Sequence, residues 1–284
     1  DGYHELAMIM QNIDLSDYIE FENNQIGEIK LKSDSKDLSL DEDNLIIKAA
    51  KYIKDISKNK QLGANIFLKK NIPIGAGLAG GSSNAAATLV GLNKLWNLDL
   101  DYKTIFLLSA KLGSDVPFFI EGGCQFCFGR GEILEKYNSN FDFGVILLKN
   151  PNISISTVDT YKKYSKEFCP KHFTETEKTN KIRNNLRVNG FQDFKLSEQR
   201  INVKNDLQVI VERENNSVKK SLYLLSNLQN CLSFSMSGSG PTCFALFKDI
   251  NIASEVFEQN HKIFNNYGFE AWVCKLINSG ITFL

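Results

Sequence analysis

One stretch of eleven residues constrains this chain more than any other. Pro73-Ile74-Gly75-Ala76-Gly77-Leu78-Ala79-Gly80-Gly81-Ser82-Ser83 holds four glycines and two serines. It lies between an alternating apolar run, Ala64-Asn65-Ile66-Phe67-Leu68, and a helical run from Asn84 to Trp96. A glycine-rich turn feeding a helix N-terminus is a cradle for phosphate: missing side chains let backbone N–H groups close on the anion, and the helix dipole adds partial positive charge. Ser82 and Ser83 add hydroxyls able to donate to phosphate or to ligate Mg²⁺. The plainer reading is a tight turn with a glycine-lined packing contact. The density of glycine and serine favours the anion.

Context excludes two common phosphate loops. Gly75-Ala76-Gly77-Leu78-Ala79-Gly80 has the form G-x-G-x-x-G, but the dinucleotide fold wants an acid ending a second strand about 20 residues later. That distance falls in Asn97-Leu98-Asp99-Leu100-Asp101, between two helical runs. A Walker A loop needs Gly-Lys-Ser/Thr, and the chain has no such triplet.

Composition excludes further classes. The 284 residues carry 33 basic and 33 acidic side chains and no basic run, which argues against nucleic acid as a partner. No apolar stretch approaches the roughly 18 residues of a membrane span. The first residues lack a signal-peptide pattern, so a cytoplasmic protein is expected, or a plastid stromal one if a transit peptide precedes residue 1. Cys124-Gln125-Phe126-Cys127 is formally C-x-x-C. It reads as strand, where residues three apart point to opposite faces, and no second pair or histidine cluster completes a zinc site. Buried thiols are expected there, and surface positions for His172 and His261.

The periodicity predicts a mixed α+β chain. Strands are expected within 5–32, at 64–69, 123–128 and 143–148. A helix capped by Asp41 or Asp43 is expected to turn Leu45, Ala49, Ile53 and Ile56 inward. Another runs from Tyr102 to Leu112 and stops at Gly113, a natural left-handed end. Pro151 marks a seam. Beyond it come a strand-like Ile153-Ser154-Ile155, a helix from Thr157 to Phe168, and a polar, irregular excursion over 169–203. Helices near 205–214, 216–230 and 252–266 then alternate with strands at 232–235, 243–247 and 269–276. Helices on antiparallel strands suit an α+β second domain.

Three segments in order carry a resemblance: Pro73 to Ala86, Leu112-Gly113-Ser114-Asp115-Val116-Pro117-Phe118-Phe119, and Ser235-Met236-Ser237-Gly238-Ser239-Gly240-Pro241-Thr242. Together they resemble the GHMP small-molecule kinases, the superfamily of galactokinase, homoserine kinase and mevalonate kinase. The opening Asp1-Gly2-Tyr3-His4-Glu5-Leu6 resembles members that act on a CDP-alcohol, and the likeness runs to about residue 275. It implies a two-domain α/β kinase fold: a ribosomal-protein-like N-terminal domain over 1–150 and a ferredoxin-like C-terminal domain over 151–284. It also implies ATP as co-substrate with Mg²⁺, and CDP-methylerythritol as the small-molecule acceptor, phosphorylated on its 2-hydroxyl for isoprenoid precursors of the non-mevalonate pathway.

Residue by residue, the resemblance assigns ATP to Pro73 through Ser83, with Asn44 and Asn84 near the adenine. It makes Asp115 the catalytic carboxylate. It places Tyr3 and His4 on the cytosine, with Thr157, Tyr161, Gly238, Ser239 and Gly240 also on the acceptor. Metal ligands and oligomeric state stay open. Phosphoryl transfer needs positioning, charge neutralisation and a group to orient the attacking hydroxyl, which suits an aspartate. Asp115 follows the Gly113 stop and precedes Val116-Pro117, expected to hold the chain extended; the plainer role is a cap or turn former. The family's first strand, with a cationic lysine and a substrate asparagine, is expected upstream of residue 1, without which the piece is expected to be poorly stable and weakly active. Another GHMP kinase with a different acceptor, or a non-catalytic nucleotide binder, are the alternative readings.

Overall fold

The computed structural model describes residues 5–24, 26–138, 141–168, 176–190 and 203–284. Cys169, His172, Tyr3 and His4 lie outside the described residues. In chain order the elements are β1 (Leu6–Gln11), β2 (Tyr18–Asn24), β3 (Ile29–Ser33), α1 (Leu45–Ser57), β4 (Gly63–Lys69), α2 (Gly80–Leu95), α3 (Tyr102–Leu112), α4 (Val116–Glu121), β5 (Cys124–Gly129), β6 (Ile133–Tyr137) and β7 (Gly144–Lys149). After these come α5 (Thr157–Phe168), α6 (Thr176–Asn189), α7 (Gln208–Glu214), α8 (Asn216–Ser226), β8 (Ser233–Met236), β9 (Cys243–Phe247), α9 (Ile250–Asn266) and β10 (Glu270–Lys275). Among the described residues the sheets are ordered β2-β4-β3, β1-β5-β6 and β10-β7-β9-β8.

By internal contact the chain forms two units. One comprises Met10–Ile74, Ala79–Tyr137 and Asn278–Leu284; the other comprises the segment ending at Ile9, Gly75–Leu78 and the stretch from Asn138 to Ile277. This division puts β7 with the later strands, whereas the sequence reading set the seam after it, at Pro151.

In the first unit, β4 alternates from Ala64 on: Ile66 and Leu68 are buried, Phe67 and Lys69 exposed. β4 pairs antiparallel with β2 and parallel with β3, so α1 is the crossover that parallel strands require. Helix α1 lays Ile46, Ala49, Ala50 and Ile53 into the core, and α2 adds Ala85, Ala86, Leu89 and Leu92. Each fully buried Ile or Leu contributes about 1.5–3 kcal/mol. Gly91 permits the approach of α2 to the sheet, because a Cβ there would stand 2.4 Å from the Phe21 ring.

The second unit is built on β10-β7-β9-β8, antiparallel throughout. Every residue of the central β7 is buried. Val218, Leu222 and Leu225 of α8 and Ala253, Val256 and Phe264 of α9 join Ile146, Leu148, Ala245 and Phe247 in one core. The arrangement bears out the mixed α+β expectation.

Several local expectations are corrected. The cap of α1 is Asn44, whose side chain accepts from the Ile46 amide at 2.9 Å, while Asp41 accepts one step earlier from the Asp43 amide. Ile56 is exposed. Helix α2 starts at Gly80, not Asn84. Gly113 has φ 168°, extended backbone open to any residue, so its glycine is not a left-handed stop. Val116-Pro117 is not extended but forms the first turn of α4, where proline's missing N–H costs nothing. Ile153–Ile155 belongs to no strand, β6 was not anticipated, and the supposedly irregular 169–203 contains α6. Cys124 and Cys127 do lie on a strand, and both are buried. Burial, ahead of the nearby Asp115 charge, pushes the Cys127 thiol up to about 12, which makes it chemically inert. No helix among the described residues is long and apolar enough to cross a membrane.

Candidate functional site

Within the first unit, three helix starts carry the assigned residues. Asn44 heads α1, Gly80–Ser83 form the first turn of α2, and Asp115 stands at the N-cap position of α4. Both α1 and α4 pack on α2. The starts of α1 and α2 adjoin, since a Cβ on Gly81 would meet Leu45 Cδ1 at 3.7 Å.

The start of α2 is an open helix end. Its N-cap residue, Ala79, is left-handed at φ 51° and makes no side-chain cap. The first helical bond runs from the Ser83 amide to the Ala79 carbonyl at 3.0 Å, leaving the amides of Gly80, Gly81 and Ser82 at an open helix end. Ser83 Oγ donates to the Gly80 carbonyl at 2.8 Å, and its lone pairs remain available. Upstream, Gly75 and Gly77 are also left-handed while Ala76 and Leu78 are not.

Asp115 is half-buried, at φ −87° and ψ −12°, and makes no cap with its side chain. Among the described residues no donor reaches its carboxyl. Burial raises its pKa above the ordinary carboxylate value. A carboxylate partly withdrawn from water, with no donor among the described residues, is costly in a folded chain and useful as a base. Behind it lies the β5–β6 turn, where a Cβ on Gly131 would stand 3.4 Å from Ser114.

Asn44 spends its side chain locally: Oδ1 caps α1, and Nδ2 donates to the Ser39 carbonyl at 2.6 Å. Asn84 is buried in α2. Pro73 and Ile74 lead out of β4, with Ile74 exposed.

The second unit gathers the remaining assignments. Gly77 fits against the later glycine turn, where its Cβ would stand 2.6 Å from the Gly240 carbonyl and 2.7 Å from that of Ser237. Ser237 Oγ donates to the Gly77 carbonyl at 2.9 Å, and the Thr242 amide donates to Ala76 at 3.3 Å. Within this unit, Ala76 and Gly77 are therefore hydrogen-bonded to the later glycine turn. Thr157, at the start of α5, shares a 2.7 Å hydrogen bond with Ser239. Tyr161, one turn on, packs half-buried against the core.

Two residues missed by the sequence reading splint this turn. Asn205 Nδ2 donates to the carbonyls of Met236 and Gly238 at 2.7 and 2.8 Å, and its Oδ1 accepts from the Leu207 amide. Gln208 Oε1 accepts from the Met236 amide and from Ser235 Oγ, both at 3.0 Å. An asparagine ahead of a helical run was a visible cap signal; its partners, some thirty residues on, were not.

Among the described residues no three His, Cys, Asp or Glu side chains cluster. A magnesium ion that keeps waters and binds chiefly through substrate phosphates needs no such cage. The Ser82 hydroxyl is an oxygen donor of the right chemistry.

Family models describe the same regions. That for the GHMP kinases N terminal domain matches residues 44–123, and that for GHMP kinases C terminal matches 182–266. The chain is 93% identical over 284 residues to the 4-diphosphocytidyl-2-C-methyl-D-erythritol kinase of Prochlorococcus marinus subsp. pastoris, covering 100% of this chain and 91% of that protein. Identity to the enzyme of the same name from another Prochlorococcus marinus strain is 46%, over 99% of this chain and 88% of the relative. A crystal structure of 4-(cytidine 5'-diphospho)-2C-methyl-D-erythritol kinase superposes with TM-score 0.69 at 25% identity, over 97% of this chain and 91% of that one. Homoserine kinase from Cytophaga hutchinsonii shares the fold, with TM-score 0.70 at 17% identity over 96% of this chain and 89% of its own.

Proposed function

The chain belongs to the GHMP kinase family, and from that membership we propose which residues transfer the γ-phosphoryl of ATP to the 2-hydroxyl of 4-diphosphocytidyl-2-C-methyl-D-erythritol. The observation that carries the acceptor is near-identity, along the whole chain, to a relative bearing that kinase's name. The open amides of Gly80, Gly81 and Ser82 support the nucleotide site, with the left-handed Gly75 and Gly77 ahead of them.

Phosphoryl transfer is mostly positioning plus neutralisation of charge. The Pro73–Ser83 turn holds the phosphates through backbone donors. Mg²⁺, when bound, would supply countercharge on the phosphate oxygens, with the Ser82 hydroxyl as a protein oxygen able to hold it. Asp115 takes the proton from, or orients, the attacking hydroxyl. Its raised pKa brings it nearer the operating pH, where a general base works best. Thr157, Tyr161 and the Gly238-Ser239-Gly240 turn contact the acceptor. Tyr3 and His4 are proposed for the cytosine, on their sequence alone. The product is an isoprenoid precursor, and a cytoplasmic location suits the substrate.

The test is to incubate the protein with ATP, Mg²⁺ and the CDP-alcohol and to locate the new phosphate by phosphorus NMR. A monoester on the 2-hydroxyl carbon is expected. A phosphate elsewhere on the acceptor, or ADP release without any phosphorylated acceptor, would contradict the assignment.

A further inference from the structure

Asp17 and Lys70 form a buried ion pair just ahead of the glycine turn. Their side chains are 2% and 6% exposed, with Nζ and Oδ2 2.7 Å apart. Burying such a pair usually gains little stability over apolar residues of the same volume, because desolvation offsets the attraction. A use other than stability is therefore worth seeking.

The hydrogen bonds supply one. Asp17 Oδ1 accepts from the amides of Asn71 and Ile72 at 2.7 and 2.8 Å. The Lys70 ammonium donates to the Ile72 carbonyl as well as to Asp17. The Lys70 amide donates to Asp34 at 2.9 Å, and Asn71 Nδ2 to the Ser16 carbonyl at 2.8 Å. The three residues that lead into Pro73 are thus held at every backbone N–H and at both side-chain nitrogens.

The far end of the turn returns to the same point. A Cβ on Gly80 would stand 2.9 Å from Ile72 Cγ2 and 3.2 Å from Lys70 Nζ. Gly80 owes its missing side chain to this packing as much as to any phosphate. An ammonium has three donors. Among the described residues Asp17 and Ile72 take two, and no third acceptor is in reach. Burial lowers the Lys70 pKa while Asp17 opposes that shift.

We infer that Asp17 and Lys70 are positioning residues for the nucleotide, clamping the entry of the phosphate turn to the first turn of α2 so that its amides are ordered before ATP arrives. The inference rests on the assignment of that turn to ATP. A preorganised turn binds more tightly because ordering is not drawn from the binding energy.

The test compares full-length wild type, Asp17→Asn, Lys70→Met and the double variant. KM for each substrate, kcat and the rise in melting temperature on adding ATP with Mg²⁺ are measured for all four. Each single variant should melt lower and show KM for ATP raised about 10-fold or more, the acceptor KM and kcat staying within about threefold. The double variant removes both charges and should regain stability while keeping the raised KM for ATP. Wild-type KM for ATP in the double variant would reduce the pair to a structural contact. An equal rise in both KM values would also overturn the proposal. Should the single variants not fold, the double variant decides. No ATP-induced stabilisation of the wild type would instead remove the assignment of the turn to ATP, and the clamp with it.

Discussion

Asp115→Asn should lower kcat by about 10²–10⁴-fold, the range for losing a general base, while ATP still stabilises the protein. Asparagine keeps the shape and cannot accept the proton. No cap is lost, because the Asp115 side chain makes none. The same substitution should raise stability at neutral pH. A carboxyl whose native pKa is raised by burial binds its proton more readily folded than unfolded. Ionised Asp115 therefore penalises folding at pH 7, and the penalty fades as pH falls through the native value toward the unfolded one near ~3.9. Thermal melts between pH 4 and 8 should show the variant ahead at the alkaline end and level with wild type at the acid end. Undiminished turnover, or a variant that melts lower at pH 7, would make Asp115 a structural residue.

Gly77→Ala should be nearly as damaging to activity, by a different route. Gly77 is left-handed at φ 70°, which costs a residue with a Cβ about 1–2 kcal/mol. The larger cost is steric. The new methyl would stand 2.6 Å and 2.7 Å from two backbone carbonyls, of Gly240 and Ser237, which lack the freedom of a side-chain end. Relief would have to separate the two glycine turns and break the Ser237–Gly77 and Thr242–Ala76 hydrogen bonds. A loss of roughly 3 kcal/mol or more is expected by denaturant titration, the size seen when strain and lost contacts combine. A kcat/KM reduced by about 10²-fold or more should accompany it, because displacement of about 1 Å costs that much. Gly268→Ala is the control. Its φ is 75° but nothing lies within 4 Å of its Cβ, so only the backbone cost should appear. If the two variants lose the same stability, the tight contact at Gly77 is not what fixes the turn.

Features carried by local chemistry were legible in the sequence. Thr157–Phe168 and Tyr102–Leu112 fold as helices between the residues expected, because the apolar period and flanking breakers lie in one short window. Cys243–Phe247 shows the same for a strand. The glycine-rich turn was visible because four glycines and two serines cluster in eleven residues. What escaped depends on partners far along the chain. Gly80-Gly81-Ser82-Ser83 has poor helix propensity, so α2 was expected to begin later; packing of the helix against α1 and α4 overrides that preference. Pro117 was read by its effect on the preceding residue, yet it occupies the first turn of α4, where proline is well tolerated. The Asp17–Lys70 pair spans 53 positions, and each member alone reads as an ordinary strand-end charge. Asn205 and Gln208 likewise acquire their partners only when β8 arrives beside them. The charge on Asp115 is legible; its lack of a donor among the described residues is not.

The most direct test offers the protein equimolar CDP-methylerythritol, homoserine and mevalonate with limiting γ-labelled ATP and Mg²⁺, and measures how the label divides among the three. These acceptors separate the proposed activity from those of kinases that share the fold. Label recovered almost wholly on the CDP-alcohol, and transferred at least about 10²-fold more slowly with Asp115→Asn, is the predicted result. Label divided evenly, or found mainly on homoserine or mevalonate, would contradict the account.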